Sequence, residues 1–577
     1  MIVAWLDHHI RPGTAVMSDT KIKAAKPRSG GHILIDQLAI HGVDTAFGVP
    51  GESYLEALDG LYGHKIRFIT CRQEGGAAMM ADAYGKLTGR PGICFVTRGP
   101  GATNASAGVH VAFQDSSPMI LLVGQVGRDM AEREAFQEID YRRMFGQMAK
   151  WVAEIDDARR IPEYLSRAFY TATAGRPGPV VLALPEDMLT DVVETADPGS
   201  YHRVAIQPGA ADMAKLGALL AQAERPLAIV GGGGWSEQAR GDFEAFCSAH
   251  NVPVAASFRC QDYIDNAHPN YVGHAGVGIN PKLGAYIKES DLLLVVGARL
   301  GEMTTQGYTL IDIPRPRQTL VHVYPDPNEI GRTYQPDLAI VASSDAFAAA
   351  AKTLPATGAK RGGRVEAGHA ELLAYSKPLA SPGAVQMSEV VAWLRTRLPA
   401  DAIVTNGAGN YATWVHRFWS YGKFRTQLAP TSGSMGYGVP AAVAAKAVHP
   451  KRTVVAFAGD GCFMMTGQEF MTAVQHELPI IVIISNNSMY GTIRMQQERE
   501  HPGRISGTEL KNPDFAALAR ACGGYGAKVA RTQDFAAAFD EAVASGKPSI
   551  IELVIDPEAL SPSMTLSAFR AQGLSKR

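Results

Sequence analysis

Two short motifs near the C-terminus constrain this chain most: Gly459-Asp460-Gly461, and Asn486-Asn487 after 24 intervening residues. Each closes a short apolar run, 453–458 and 480–484. Such runs read as buried strands of a parallel sheet. Asp460 and Asn487 then lie together at the carboxyl edge of that sheet, where open α/β folds bind ligands. An Asp carboxylate and an Asn carbonyl are hard oxygen donors suited to Mg²⁺. The flanking Gly459 and Gly461 let backbone approach a phosphate. The pattern describes a divalent cation bridging a diphosphate.

The spaced pair resembles the thiamine diphosphate (ThDP) enzymes. In that family the Asp, the second Asn and a backbone carbonyl two residues on hold the metal. The resemblance therefore implies Asp460, Asn487 and the carbonyl of Met489 as Mg²⁺ ligands, with Cys462 beside the cofactor. It covers residues 30 to 560 and implies an α/β fold of three consecutive doubly wound parallel-sheet domains: pyrimidine-binding, central Rossmann-like and diphosphate-binding.

The rest of the chain fits that layout. A chain of 577 residues exceeds one core and suggests three or four domains. Apolar runs at 66–70, 93–97, 119–123 and 180–184 alternate with helical periodicity, as do runs in two later segments. The expected domains are 30–190, 210–354 and 384–560, with linkers at 191–209 and 355–383. Residues 1–29, basic and without apolar period, read as a disordered arm in which Met17 is a second start; 561–577 reads as a tail. The net charge of −1 excludes nucleic acid and anionic membrane as evident partners, and no apolar run reaches the ~20 residues of a membrane span. Six cysteines without CxxC spacing suit reduced thiols of a cytosolic protein.

In the first segment, Glu74 follows a strand run and opens a helix. Alone it reads as an acid favoured by the helix dipole. By the resemblance it is the carboxyl group bonded to the cofactor's pyrimidine nitrogen, promoting the imino tautomer that removes the thiazolium proton. The turn Thr97-Arg98-Gly99-Pro100-Gly101 and the stretch Ala135-Phe136-Gln137-Glu138 resemble the acetohydroxyacid (acetolactate) synthase branch, although Arg98 replaces its usual Ser. The resemblance places Phe113 and Gln114 near the reacting carbon; the same residues also read as a helix end before Pro118. Glu52 stands where the synthases carry Gly and simple decarboxylases carry Asp. It reads either as a pocket carboxylate or as a helix cap.

In the third segment Gly409, Asn410 and Tyr411 are expected at the diphosphate, with Asn410 and Tyr411 replacing the family's Gln-His. Met435, among glycines, is the expected apolar wedge between the cofactor rings, enforcing proximity by packing. Gln496 occupies the position of an acceptor-selecting Trp, and Arg494 reads as a solvated helix arginine. The central Gly231-Gly232-Gly233-Gly234 turn is a weak dinucleotide signal, so FAD is not favoured.

The resemblance implies an acetolactate synthase-like carboligase using ThDP and Mg²⁺. Its partners are a 2-oxo acid such as pyruvate, a carbonyl acceptor, and a second copy of the chain in a homodimer or homotetramer. A 2-oxo acid decarboxylase, a 2-hydroxyacyl thioester lyase and a non-catalytic ThDP-binding subunit remain as alternatives.

Overall fold

The computed structural model describes residues 26–576 except 357, 359 and 360. Most of the expected arm, residues 1–25, lies outside the described residues. Its last two residues depart from the expectation. Arg28–Ser29 form a short strand antiparallel to Val192–Val193, inside the expected linker. The Arg28 guanidinium anchors it, bridging Asp36 (2.6 Å) and Asp197 (2.7 Å).

Three six-stranded sheets follow in sequence, and every neighbouring pair within them is parallel. Their inner strands are mostly apolar, as burial on both faces favours, with buried exceptions such as His322 and Glu552. Val454–Gly459 and Ile481–Asn486 are buried up to their last residue, and there the chemistry begins.

Strand order sets where ligands fit. In the third sheet Ile403–Asn406 comes first in the chain; Gln427–Leu428 then pairs on one side and Val454–Gly459 on the other. The chain leaves these neighbours in opposite directions, opening a crevice at their carboxyl ends. The first sheet repeats this order: Thr45–Gly48 lies between Arg67–Thr70 and Gly92–Val96. In the central sheet Pro226–Val230 lies between Val254–Ala256 and Leu292–Val296.

The first and third domains share a core. Helix Glu74–Thr88 packs on helix Gly438–Val448 through alanines and glycines, which let the backbones approach closely. A buried polar group crosses this contact: Asp82, fully buried, accepts from Tyr437 Oη at 2.6 Å and pairs with Lys86 at 3.0 Å.

Two segments hold more structure than the sequence suggests. Within 355–383 a helix, Arg364–Tyr375, docks on the central domain. Its His369 Nδ1 lies 2.8 Å from the carbonyl of Tyr271, and a Cβ on Gly368 would meet Val272 at 2.6 Å. The tail ends in a helix, Leu566–Ser575, packed against helix Gly491–Glu500. Arg494 is not solvated: it is buried, and its Nε donates to Glu498 at 3.1 Å, because the docked terminal helix covers that face. No helix among the described residues is long and apolar enough to cross a membrane.

Candidate active site

The third-sheet crevice is framed by the loop after Asn406 and the turn after Gly459. Gly409 has φ +145°, a conformation that favours glycine, and lets the chain turn into helix Tyr411–Phe418. Tyr411 points back beneath the loop. Its Oη accepts from Gly407 N (2.9 Å) and lies 3.2 Å from Cys462 Sγ, which in turn accepts from Gly436 N (3.2 Å). Tyr411 and Cys462 thus tie three glycine-rich loops together. From the central domain, buried Arg259 donates to the carbonyls of Gly407 (2.8 Å) and Pro430. Above them opens a cavity of about 260 Å³. Gly409, Asn410, Tyr411, Met435, Gly459, Asp460, Gly461, Cys462, Asn487 and Met489 all line it.

Asp460 is 2 % exposed. Burial pushes its carboxyl above the ordinary range, opposed by a hydrogen bond from Asn512 and by backbone amides. No Lys, Arg or His side chain pairs with it among the described residues; its side-chain partner is Asn512 Nδ2, which donates to Oδ2 at 2.7 Å. The same amide donates to Asn486 Oδ1 at 3.0 Å, so Asn512 fixes both strand ends. Ser488, at φ +55°, turns the chain so that Asn487 and Met489 both reach the cavity. A buried carboxylate without a cationic side chain, an amide carbonyl and a backbone carbonyl form a donor set that fits Mg²⁺. Asn512 was missed in the sequence because its partners lie 26 and 52 residues away.

The corresponding crevice of the first domain carries Glu74. Its helix starts with a Gln73 cap, whose side chain accepts from Gly76 N at 2.9 Å. Glu74 is half-buried and accepts from Asn104 Nδ2 at 2.9 Å. The neighbouring turn is packed tightly: a Cβ on Gly51 would lie 2.4 Å from Thr97, and Thr97 Oγ1 meets Ser53 Oγ at 2.9 Å. Glu52 stands on that turn with 66 % of its side chain exposed, paired with Arg98 at 2.7 Å. The guanidinium of Arg98 is itself buried, and bonds Glu186 at 2.9 Å as well. Glu52 is therefore neither a cap nor a free carboxylate. Glu74 and Glu52 do not line the 260 Å³ cavity of their own chain.

Phe113 and Gln114 lie at the far end of the helix from Glu74's partner Asn104. They end helix Pro100–Asp115, whose first turns hold Asn104. At about 1.5 Å per residue, Gln114 lies roughly 15 Å along the axis from Asn104. The Phe113 ring packs under Arg176, and the Gln114 carbonyl accepts from Arg299.

Gln114 and Arg299 border an interdomain cavity of about 820 Å³ that reaches the 231–234 turn and is also lined by Gly409, Asn410 and Gly433 of the cofactor crevice. The glycines there serve internal packing. A Cβ on Gly231 would lie 1.9 Å from Ser257 Oγ, and one on Gly232 1.9 Å from the Gly297 carbonyl.

Comparison with known proteins matches three family models in order: the thiamine pyrophosphate enzyme N-terminal TPP binding domain over residues 28–144, its central domain over 213–351 and its C-terminal TPP binding domain over 407–553. The acetolactate synthase large subunit of Corynebacterium glutamicum is 31 % identical, covering 95 % of this chain and 90 % of the relative. The acetolactate synthase isozyme 2 large subunit of Escherichia coli K12 is 30 % identical over 95 % and 100 %. The large subunit of Parasynechococcus marenigrum is 33 % identical over 94 % and 90 %.

Proposed function

The chain belongs to the thiamine pyrophosphate enzymes, and on that premise we propose that it is an acetolactate synthase-like carboligase. It takes a pyruvate-like 2-oxo acid as donor and a carbonyl compound as acceptor. One observation carries the assignment of the cofactor-binding half: ten residues from four separate loops converge on one cavity at the sheet's switch point, with Asp460 buried there and lacking a cationic partner among the described residues.

Asp460, Asn487 and the Met489 carbonyl would hold Mg²⁺, and the backbone around Gly409, Gly459 and Gly461 would cradle the diphosphate. Met435 forms an apolar support for the cofactor from the cavity wall. When bound, ThDP supplies an electron-accepting thiazolium for decarboxylation of the 2-oxo acid. Glu74 holds a proton at the cofactor's pyrimidine ring. Since Glu74 is absent from its own chain's cavity, a second copy related by a two-fold axis would bring it there, giving two sites per dimer. Glu52 would act as one unit with Arg98 at the pocket edge. That ion pair favours carboligation over the decarboxylase reading, because a carboxylate engaged by a guanidinium is poorly placed to deliver a proton.

The test is incubation with ThDP, Mg²⁺ and pyruvate, with products followed by proton NMR and Glu74→Gln as control. Acetolactate, lost in the variant, is the expected result. Acetaldehyde alone would replace the reading with a decarboxylase.

A further inference from the structure

The turn that presents Glu74 is held by a residue from another domain. Glu469 opens helix Glu469–Gln475 of the third domain, and its side chain is fully buried. Its Oε1 accepts from the backbone N–H of Gln73 (2.9 Å) and of Arg72 (3.2 Å). Its Oε2 accepts from Arg72 N (3.3 Å) and from Thr472 Oγ1 (2.6 Å). The first domain leaves room for this carboxylate: a Cβ on Gly76 would lie 2.6 Å from Glu469 Oε1. On either side, His476 Nε2 accepts from Thr70 N at 3.0 Å, and the Arg72 guanidinium donates to Gln475 at 2.6 Å.

Burying a carboxylate is costly unless it is fully hydrogen-bonded, and apolar packing would join two domains as well. Here no ion pair offsets the burial among the described residues. The partners are one hydroxyl and the two amides that immediately precede Glu74. Those amides set the direction in which the helix carrying Glu74 leaves its strand. At its other end the same stretch of chain begins with Asp460, nine residues earlier, at the cofactor cavity.

We propose that Glu469 is a positioning residue for Glu74, acting from the third domain of the same chain so that the acid reaches a shared site already braced. This rests on the reading of Glu74 as the acid beside the cofactor.

The test compares holoenzyme with Glu469→Ala, Glu469→Gln, Gly76→Ala and Gln475→Ala. It measures exchange of the C2 hydrogen of bound ThDP, ThDP affinity at saturating Mg²⁺, and amide hydrogen exchange across 70–76. Glu469→Ala removes every acceptor and should slow C2–H exchange by on the order of 10²-fold. Its 70–76 amides should lose protection while ThDP affinity stays unchanged. Glu469→Gln keeps Oε1 and should restore most of the rate. Gly76→Ala crowds the carboxylate out of its place while leaving Glu469 itself unchanged and should reproduce the alanine variant, which keeps the test open if Glu469→Ala fails to fold. Gln475→Ala, which removes only the neighbouring exposed contact, should match wild type. Wild-type C2–H exchange in Glu469→Ala or Gly76→Ala would overturn the proposal. So would a slow rate accompanied by lost ThDP affinity and no rescue by Gln. Failure of the wild-type protein to exchange C2–H would instead overturn the assignment of Glu74.

Discussion

Glu74 and Asp460 each open a helix just after a strand, yet their surroundings differ. Glu74 is half-buried beside Asn104, whereas Asp460 is enclosed and faces Asn512 and backbone amides. Glu74→Gln should lower acetolactate turnover by about 10²–10⁴-fold, the worth of a positioned acid, with ThDP affinity retained. Steady-state kinetics with a ThDP titration checks this. Asp460→Asn should act the other way: the Mg²⁺ concentration for half-saturation rises steeply, and ThDP binding weakens with it. Isothermal titration at several Mg²⁺ levels reads the shift. Both residues were legible in the sequence because each sits within a few positions of a strand end and of the glycines that serve it. Arg98 was legible only as an oddity. Its partners Glu52 and Glu186 lie 46 and 88 residues away, and no local pattern announces such a pairing.

At the scale of single elements, the terminal helix Leu566–Ser575 is held by charge. Glu498, with its side chain fully buried, accepts from Arg570 at 2.6 and 2.8 Å and from Arg494 at 3.1 Å. The hydrogen bonds from Arg570 lead the effects that hold the Glu498 carboxyl down at about 2, against an ordinary value of about 4.3. A carboxylate held low in the folded state adds stability that is whole above its unfolded pKa and is lost as pH falls through its folded one. The helix should therefore loosen between about pH 4.3 and 2. Arg570→Ala should weaken docking by about 2 kcal/mol at neutral pH, the worth of a hydrogen bond to a charged group. Amide exchange of residues 566–575 across pH measures both effects. Neither this helix nor Arg364–Tyr375 stood out in the sequence, because much of each face is polar and is matched by partners elsewhere in the chain.

For the whole molecule, three crevices arise from closely related strand arrangements, and that regularity is why fold and domain order were legible from alternating apolar runs alone. The anchoring of the end of helix Pro100–Asp115 was not, since the Phe113 and Gln114 carbonyls accept from Arg176 and Arg299, 63 and 185 residues away. The shared core of the first and third domains fixes Glu74 and the Asp460 cavity within each chain, yet Glu74 does not line that cavity. On the proposed reading two copies share each site, so ThDP affinity should rise with protein concentration as dimers form, which ligand titration at increasing dilution would show. The most direct measurement co-expresses a Glu74→Gln chain with an Asp460→Asn chain, each inactive alone, and assays acetolactate formation. In a mixed dimer one site carries both substitutions and the other carries neither. Random pairing should restore about a quarter of wild-type activity. Activity no higher than the sum of the two variants assayed separately would contradict a site shared between chains.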